Sequence, residues 1–150
     1  MPTSETSSRY LPEEWILPAI TDENRAFFTS GDVKVQRCAP CGWVQHPPEE
    51  VCRMCHSMEF EYISAQPMGT VESFSIVHYA VHPMLKAATP YNVAVVALDE
   101  YPDVKIVGNI VDVAPADVSV GMKVTATFAP VEAHDGSGET LRLLQWRAAQ

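Results

Sequence analysis

Four cysteines in two Cys-x-x-Cys pairs are the residues of this chain whose types and spacing best fit a chemical task. Cys38 and Cys41 form the first pair, Cys52 and Cys55 form the second, and ten residues separate the pairs. Each pair can form a tight turn, or knuckle, that directs two sulfurs and several backbone N–H groups at one ion. The spacing therefore predicts that all four cysteines bind one metal ion.

Zinc in a structural role is the interpretation that the energetics favour. A ribbon of about 30 residues cannot bury enough apolar surface to fold alone. A structural zinc contributes on the order of 10 kcal/mol to folding, and four protein ligands leave no coordination position open for a substrate. Two alternatives use the same cysteines. Iron in a rubredoxin-like site would make the chain an electron carrier, and a dithiol redox protein would need only one pair, usually at a helix N-terminus.

The other polar residues offer no second reactive group. We expect His46 and His56, which lie near the cysteines, to be spectators or to support the ligands rather than replace them. His78 and His82 are four apart, a spacing that aligns two imidazoles only on a helix, and they lie at the end of a predicted strand. The sequence has no Gly-rich phosphate loop and no cysteine beyond the two pairs. We predict no catalytic residue in this chain.

A short helix is predicted ahead of the cysteines. Residues 1–14 are rich in Ser, Thr, Glu and Pro and predict a flexible tail. Within residues 15–32, Thr21 is the predicted N-cap and Gly31 the predicted end of a helix of about two turns. A helix of this length is not stable alone, so it docks either on its own domain or on a partner.

Strands with a period of two fill the chain after the cysteines. Turn signals separate five of them, which we place at residues 70–79, 92–98, 104–111, 123–128 and 140–147. Five short strands in about 80 residues predict a small closed barrel such as an OB-fold. The predicted fold class is therefore mainly β, with a short N-terminal helix, a four-cysteine zinc ribbon over residues 33–65 and a five-stranded OB-fold barrel over residues 66–150.

The charge balance narrows the functional alternatives. The chain has 19 Asp and Glu against 10 Lys and Arg, a net charge of −9. A single-stranded nucleic-acid-binding OB-fold module with a zinc ribbon is the alternative function. Such a module needs a positive stripe, and the acidic composition argues against nucleic acid as a partner. The sequence contains neither an apolar run long enough to span a membrane nor a secretory signal, so we expect a cytoplasmic protein with no membrane partner.

The order of these features resembles one protein family, the acyl-CoA-associated OB-fold proteins with a rubredoxin-like zinc ribbon, long catalogued as a domain of unknown function. The similarity covers roughly residues 18–130 and includes the two knuckles around Pro47 and Pro48. The other segments that carry it are GDVKVQRC at 31–38, GTVESFS at 69–75, PYNVAVV at 90–96 and VSVGMKV at 118–124.

This resemblance implies a non-catalytic accessory or scaffold subunit with a structural zinc. Members typically work beside thiolase-like enzymes, including thiolases, acyltransferases and side-chain-cleaving aldolases, or with hydratases of the hot-dog fold. It implies a hetero-oligomer with such a subunit, acting on acyl-CoA thioesters in steroid or fatty-acid side-chain degradation. If coenzyme A also touches this chain, Lys34, Arg37 and Arg53 flank the ribbon and are the candidates for its phosphates.

Overall fold

The computed structural model describes Pro12 and residues 14–150, so nearly all of the predicted flexible tail over residues 1–14 lies outside the described residues. The elements, in chain order, are α1 Arg25–Thr29, β1 Lys34–Cys38, β2 Val44–Gln45, β3 Phe60–Ser64, β4 Met68–Val77, a 3-10 helix Pro83–Ala88, β5 Tyr91–Leu98, β6 Lys105–Gly108, β7 Ile110–Val111, a 3-10 helix Pro115–Asp117, β8 Lys123–Glu132 and β9 Thr140–Ala148. None of the helices among these residues is long and apolar enough to cross a membrane.

The helix α1 is shorter than the sequence predicts. The predicted N-cap, Thr21, is wrong, because the α-helix begins at Arg25 with Asn24 as its N-cap. Thr21 and Asn24 instead bind each other across the preceding turn: the Thr21 N–H donates to Asn24 Oδ1 (2.8 Å) and the Asn24 N–H donates to Thr21 Oγ1 (3.4 Å). Phe27 is buried in the core of the chain. Of the two alternatives, the helix therefore docks on its own domain.

The cysteine-rich segment forms a small antiparallel sheet with the strand order β2-β1-β3. Cys38, at the end of β1, lies opposite Phe60 at the start of β3. Successive side chains of a strand point to opposite faces, so Cys38 shares its face with Gln36. This sheet places one pair of cysteines at the end of β1 and the other in the long connection from β2 to β3.

The rest of the chain forms the predicted OB-fold, but the prediction of a closed barrel is wrong for the described residues, because the edge strands β6 and β7 do not pair with each other; we keep the word barrel for this domain. Its six-stranded sheet has the order β6-β5-β4-β8-β9-β7, with β7 parallel to β9 and the other neighbours antiparallel. The two edge strands, β6 and β7, are separated by Asn109 alone. One bent segment over residues 105–111 thus pairs with β5 at one end and with β9 at the other. The five predicted strands are confirmed, with the third divided in two.

A buried asparagine holds this bent segment in place. Asn92 on β5 accepts a hydrogen bond from the Ile110 N–H at Oδ1 (2.6 Å) and donates one from Nδ2 to the Ile110 carbonyl oxygen (2.8 Å). The Asn109 side chain donates from Nδ2 to the Asn92 carbonyl oxygen (2.5 Å). The Asn92 side chain therefore takes the place of a neighbouring backbone where the strand bends away from β5.

The ribbon and the barrel share one hydrophobic core. Val33 and Val35 of the ribbon and Phe27 of α1 belong to the same buried cluster as Val96 of β5 and Trp146 of β9. The connection from β3 to β4 is only three residues long. This common core fixes the position of the cysteines relative to the barrel.

Candidate metal centre

The structure brings the four cysteine sulfurs together. Each Sγ lies within 4.8 Å of the other three, with 3.4 Å between Cys38 and Cys55 and 3.6 Å between Cys41 and Cys52. Four sulfurs at about 2.3 Å from a tetrahedral zinc lie about 3.8 Å from one another. The donor set and its spacing therefore fit a zinc ion. Among the described residues, these cysteines are the one group of His, Cys, Asp or Glu side chains so arranged.

The first knuckle is closed by two backbone hydrogen bonds. The Gly42 N–H donates to the Cys38 carbonyl oxygen (2.9 Å), and the Cys38 N–H donates to the carbonyl oxygen of Trp43 (2.8 Å). Gly42 has a φ of 78°, a left-handed conformation that glycine adopts without steric cost. The turn this produces directs the sulfurs of Cys38 and Cys41 to the same side.

The second knuckle repeats this pattern at the same spacing. The His56 N–H donates to the Cys52 carbonyl oxygen (3.0 Å), and the Cys52 N–H donates to the carbonyl oxygen of Ser57 (2.8 Å). His56 occupies the position of Gly42 and has a φ of 65°. Its backbone conformation, rather than its imidazole, is what the knuckle uses. His56 is exposed and is not part of the metal cluster.

Burial raises the pKa of the cysteine thiols, whereas backbone N–H groups that bind the sulfurs lower it. Burial raises the pKa of the Cys38 thiol to about 12. At Cys52 burial also disfavours the thiolate, but the backbone N–H groups of Cys55 and Met54 outweigh it and the pKa falls to about 6. Cys38 and Cys52 are buried while Cys41 and Cys55 are exposed, and a half-buried cluster whose backbone donors already favour thiolates lacks only a compensating positive charge. A divalent cation bound by the four sulfurs would supply it.

Two buried glutamines hold the loop that joins the knuckles. Gln36 donates from Nε2 to the Glu49 carbonyl oxygen (2.7 Å) and accepts at Oε1 from the Glu49 N–H (3.0 Å). Gln45 donates from Nε2 to the Val51 carbonyl oxygen (3.3 Å) and accepts at Oε1 from the Arg53 N–H (3.1 Å). Sequence reasoning missed both. The available signal was that Gln36 lies two residues before Cys38, on the same strand face.

The three cations proposed for coenzyme A phosphates do not share one face. Lys34 and Arg37 are three residues apart on β1 and so point to opposite sides of the sheet. Arg37 Nε donates to Glu61 Oε1 on β3 (2.8 Å), and the Arg53 guanidinium donates to Glu49 Oε1 (2.8 Å). Two of the three cations are therefore paired with carboxylates on the ribbon itself.

His46 packs against Phe27 and is not one of the metal-ligand candidates. Its ring centroid lies 4.8 Å from that of Phe27, and it is not among the side chains that could hold the metal. Burial, with a smaller effect of the Arg53 charge, lowers the pKa of His46 to about 4. The His78 and His82 pair forms no site either, because His82 Nδ1 accepts the Met84 N–H (3.2 Å) and caps a 3-10 helix.

A four-cysteine ribbon followed by an OB-fold defines the class of this protein, and comparison with known families agrees. Residues 28–61 match the model described as the rubredoxin-like zinc ribbon domain of ChsH2, and residues 62–129 match that of the ChsH2 C-terminal OB-fold domain. A DUF35 domain-containing scaffold protein from Methanocaldococcus jannaschii is 39% identical over 103 residues, which cover 68% of this chain and 71% of that protein. The chain belongs to this DUF35 family of ChsH2-like proteins, as the resemblance in its sequence indicates.

Two further similarities extend the comparison. A solved structure described as Ltp2-ChsH2(DUF35) aldolase superposes with a TM-score of 0.69 and 31% identity, over 89% of this chain and 100% of the matched chain. The 3-oxo-4,17-pregnadiene-20-carboxyl-CoA hydratase alpha subunit of Mycobacterium tuberculosis is 33% identical over 122 residues, which cover 78% of this chain. The present chain spans 37% of that subunit's length.

Proposed function

We propose that this chain is a non-catalytic scaffold subunit of an enzyme complex that acts on acyl-CoA thioesters. The observation that carries the proposal is the similarity to the Ltp2-ChsH2(DUF35) aldolase structure, in which the whole of the matched chain is covered. The named relatives include a scaffold protein and a CoA hydratase subunit, which supports a partner of the aldolase, thiolase-like or hydratase class. The partner supplies the catalytic residues.

The metal in this proposal is one structural zinc ion held by Cys38, Cys41, Cys52 and Cys55. The close approach of the four sulfurs and the match to a zinc ribbon family support it. Thiolate ligands persist in a reducing compartment, so we place the complex in the cytoplasm. We also keep the division between ribbon and barrel at residues 65 and 66, within the short connection from β3 to β4.

Contact of this chain with coenzyme A is a separate part of the proposal. Lys34, Arg37 and Arg53 remain the candidate phosphate ligands, and the ion pairs of Arg37 with Glu61 and of Arg53 with Glu49 would have to open or be shared. The test is the affinity of the assembled complex for an acyl-CoA thioester when Arg37→Ala and Arg53→Ala are combined. Phosphate contact would be supported if the double variant binds the thioester more weakly and if high salt weakens binding by the wild type in the same way. An unchanged affinity of the double variant would reject it.

Native purification of the full chain from its own cells tests the scaffold role. The tagged chain is isolated under mild conditions, and co-purifying proteins are identified by mass spectrometry and their stoichiometry measured. We expect a stoichiometric subunit of the thiolase-like, aldolase or hydratase class, and acyl-CoA activity that requires that subunit. A chain that purifies alone, or with nucleic acid that salt removes, would reject the proposal and favour a nucleic-acid-binding module.

A further inference from the structure

The second half of β4 and the loop after it extend beyond the other strands. The pairing of β4 with β8 ends at Thr70, whereas its pairing with β5 continues to Val77, opposite Tyr91. From Ser73 to Val77, β4 therefore has β5 as its one strand neighbour among the described residues. We call residues 73–90 the β4–β5 arm. A strand edge without a neighbour is a template for association with another chain.

The arm exposes large apolar side chains from an ordered backbone. Tyr79 is 79% exposed and Val81 is 87% exposed. The chain directly after them forms the 3-10 helix Pro83–Ala88, which His82 caps. The Trp15 ring holds His82 in turn, with 4.8 Å between the ring centroids in an edge-on contact. Exposed apolar residues of this kind, held in a defined arrangement, mark an interaction site.

The arm contains no acidic residue, although the molecule as a whole is acidic. The chain carries 19 Asp and Glu, yet none lies between Glu72 and Asp99, and the one cation in that interval is Lys86. A second set of exposed apolar side chains, Val51, Met54 and Met58 at the second knuckle, is flanked in sequence by Glu49, Glu50 and Glu59. The arm can thus meet a partner without burying a carboxylate of its own.

We propose that the β4–β5 arm is the surface by which this chain docks on the enzyme subunit of its complex. The inference rests on the proposed scaffold function and adds its docking surface. Tyr79 and Val81 enter an apolar recess on that subunit, and carboxylates at the recess rim face Lys86. Aromatic residues that are buried on association commonly dominate the binding energy, and a rim charge pair accelerates association.

The test compares matched surface variants. Tyr79→Ser combined with Val81→Ser removes the apolar anchors, and Val107→Ser combined with Val120→Ser is the control, at positions 62% and 66% exposed outside the arm. The binding partner is the recombinant subunit identified by native purification, and Kd is measured with the full chain. We expect the arm variant to bind at least tenfold more weakly, roughly what the loss of one anchor costs, and the control to remain within about twofold. Lys86→Glu slows association at low salt.

The outcomes separate this inference from the proposed function. If native purification yields no enzyme subunit, the scaffold proposal fails, and this inference fails with it. If the subunit binds the wild type and the arm variant equally, the docking surface is wrong while the scaffold role stands. Sedimentation with phosphatidylcholine–phosphatidylserine vesicles is the remaining comparison. Vesicle binding that the wild type shows and the arm variant loses would overturn the inference in favour of a membrane contact.

Discussion

The side chains of Gln36 and Gln45 are buried against each other, and Gln45 Nε2 donates a hydrogen bond of 2.8 Å to Gln36 Oε1. The two residues are register partners on β1 and β2. The two side chains also bind the backbone of the loop between the knuckles, so every amide oxygen and nitrogen of the pair has a hydrogen-bond partner. A fully bonded polar pair of this kind specifies one arrangement of the loop. It therefore sets the position of the second knuckle relative to the first.

Gln36→Leu is expected to lower the free energy of unfolding by about 3 kcal/mol, because it removes the hydrogen-bond partner of the Glu49 backbone and of the buried Gln45 amide. The matched control is Gln66→Leu, at an exposed position, with an expected change within about 0.5 kcal/mol. Chemical denaturation of the zinc-loaded proteins measures both. Equal stability of the two variants would show that the glutamine pair does not support the loop.

The metal centre is expected to hold one zinc ion per chain and to be required for folding of the ribbon. Removal of the zinc by a strong chelator should unfold residues 33–65, since on the order of 10 kcal/mol of folding free energy is lost. Metal analysis and near-ultraviolet circular dichroism measure the ion and the fold. Cys52→Ser should reduce zinc affinity in the same assay. A coloured protein that contains iron would contradict the zinc assignment.

Stability should fall in mild acid partly because of His46. Its folded pKa of about 4 lies below the ordinary 6.5, so the unfolded chain binds more protons between these values and acid favours unfolding. Between about pH 7 and about pH 5, this contributes a loss of about 2 kcal/mol. His46→Phe keeps a ring against Phe27 and cannot titrate.

Denaturation of the wild type and His46→Phe at both pH values isolates this effect, since both proteins have the same four cysteines and lose zinc alike. The wild type should lose about 2 kcal/mol more than the variant. Parallel pH dependence of the two proteins would mean that His46 does not titrate as a buried group.

Gly69 on β4 has no room for a side chain. A Cβ there would collide with a methyl group of Val96 and lie 2.8 Å from the Ala97 carbonyl oxygen. Gly69→Ala should therefore cost roughly 3 kcal/mol through strain at the centre of the barrel. Gly136→Ala is the comparison, because a Cβ there meets nothing within 4 Å and only the φ of 78° opposes it. That cost is about 1 kcal/mol, and thermal unfolding should rank the two variants in this order.

The class of fold was predictable because it depends on patterns local in sequence. The cysteine spacing predicts the close approach of the four sulfurs that a four-cysteine metal site requires, and alternation along residues 123–128 predicts β8. The end of α1 was also signalled, since Gly31 has the φ of 74° expected after a helix. Turn residues between the strands indicated where one strand of the barrel ends and the next begins.

The features missed by sequence reasoning depend on polar groups that meet across the fold. Glutamine is usually exposed, and although its place two residues before Cys38 sets the strand face of Gln36, it does not identify Gln45 and the loop as its partners. The third predicted strand is divided where the Asn92 side chain binds it. In the sequence, Asn92 is only one polar residue in an otherwise apolar strand, and its partner is not indicated. The Thr21 prediction failed because Thr21 and Asn24 close a turn that leads into the helix, and the α-helix itself begins at Arg25.

The core shared by ribbon and barrel has a consequence for the exchange of parts between family members. Val33 and Val35 pack in one cluster with Val96 and Trp146, so the metal-bearing segment is not a self-contained cassette. A ribbon grafted from a relative would bring mismatched side chains to this boundary unless the facing barrel positions changed with it. We therefore expect substitutions on the two sides to occur together in relatives, and recombination at the short β3–β4 connection to yield chimeras that fold poorly.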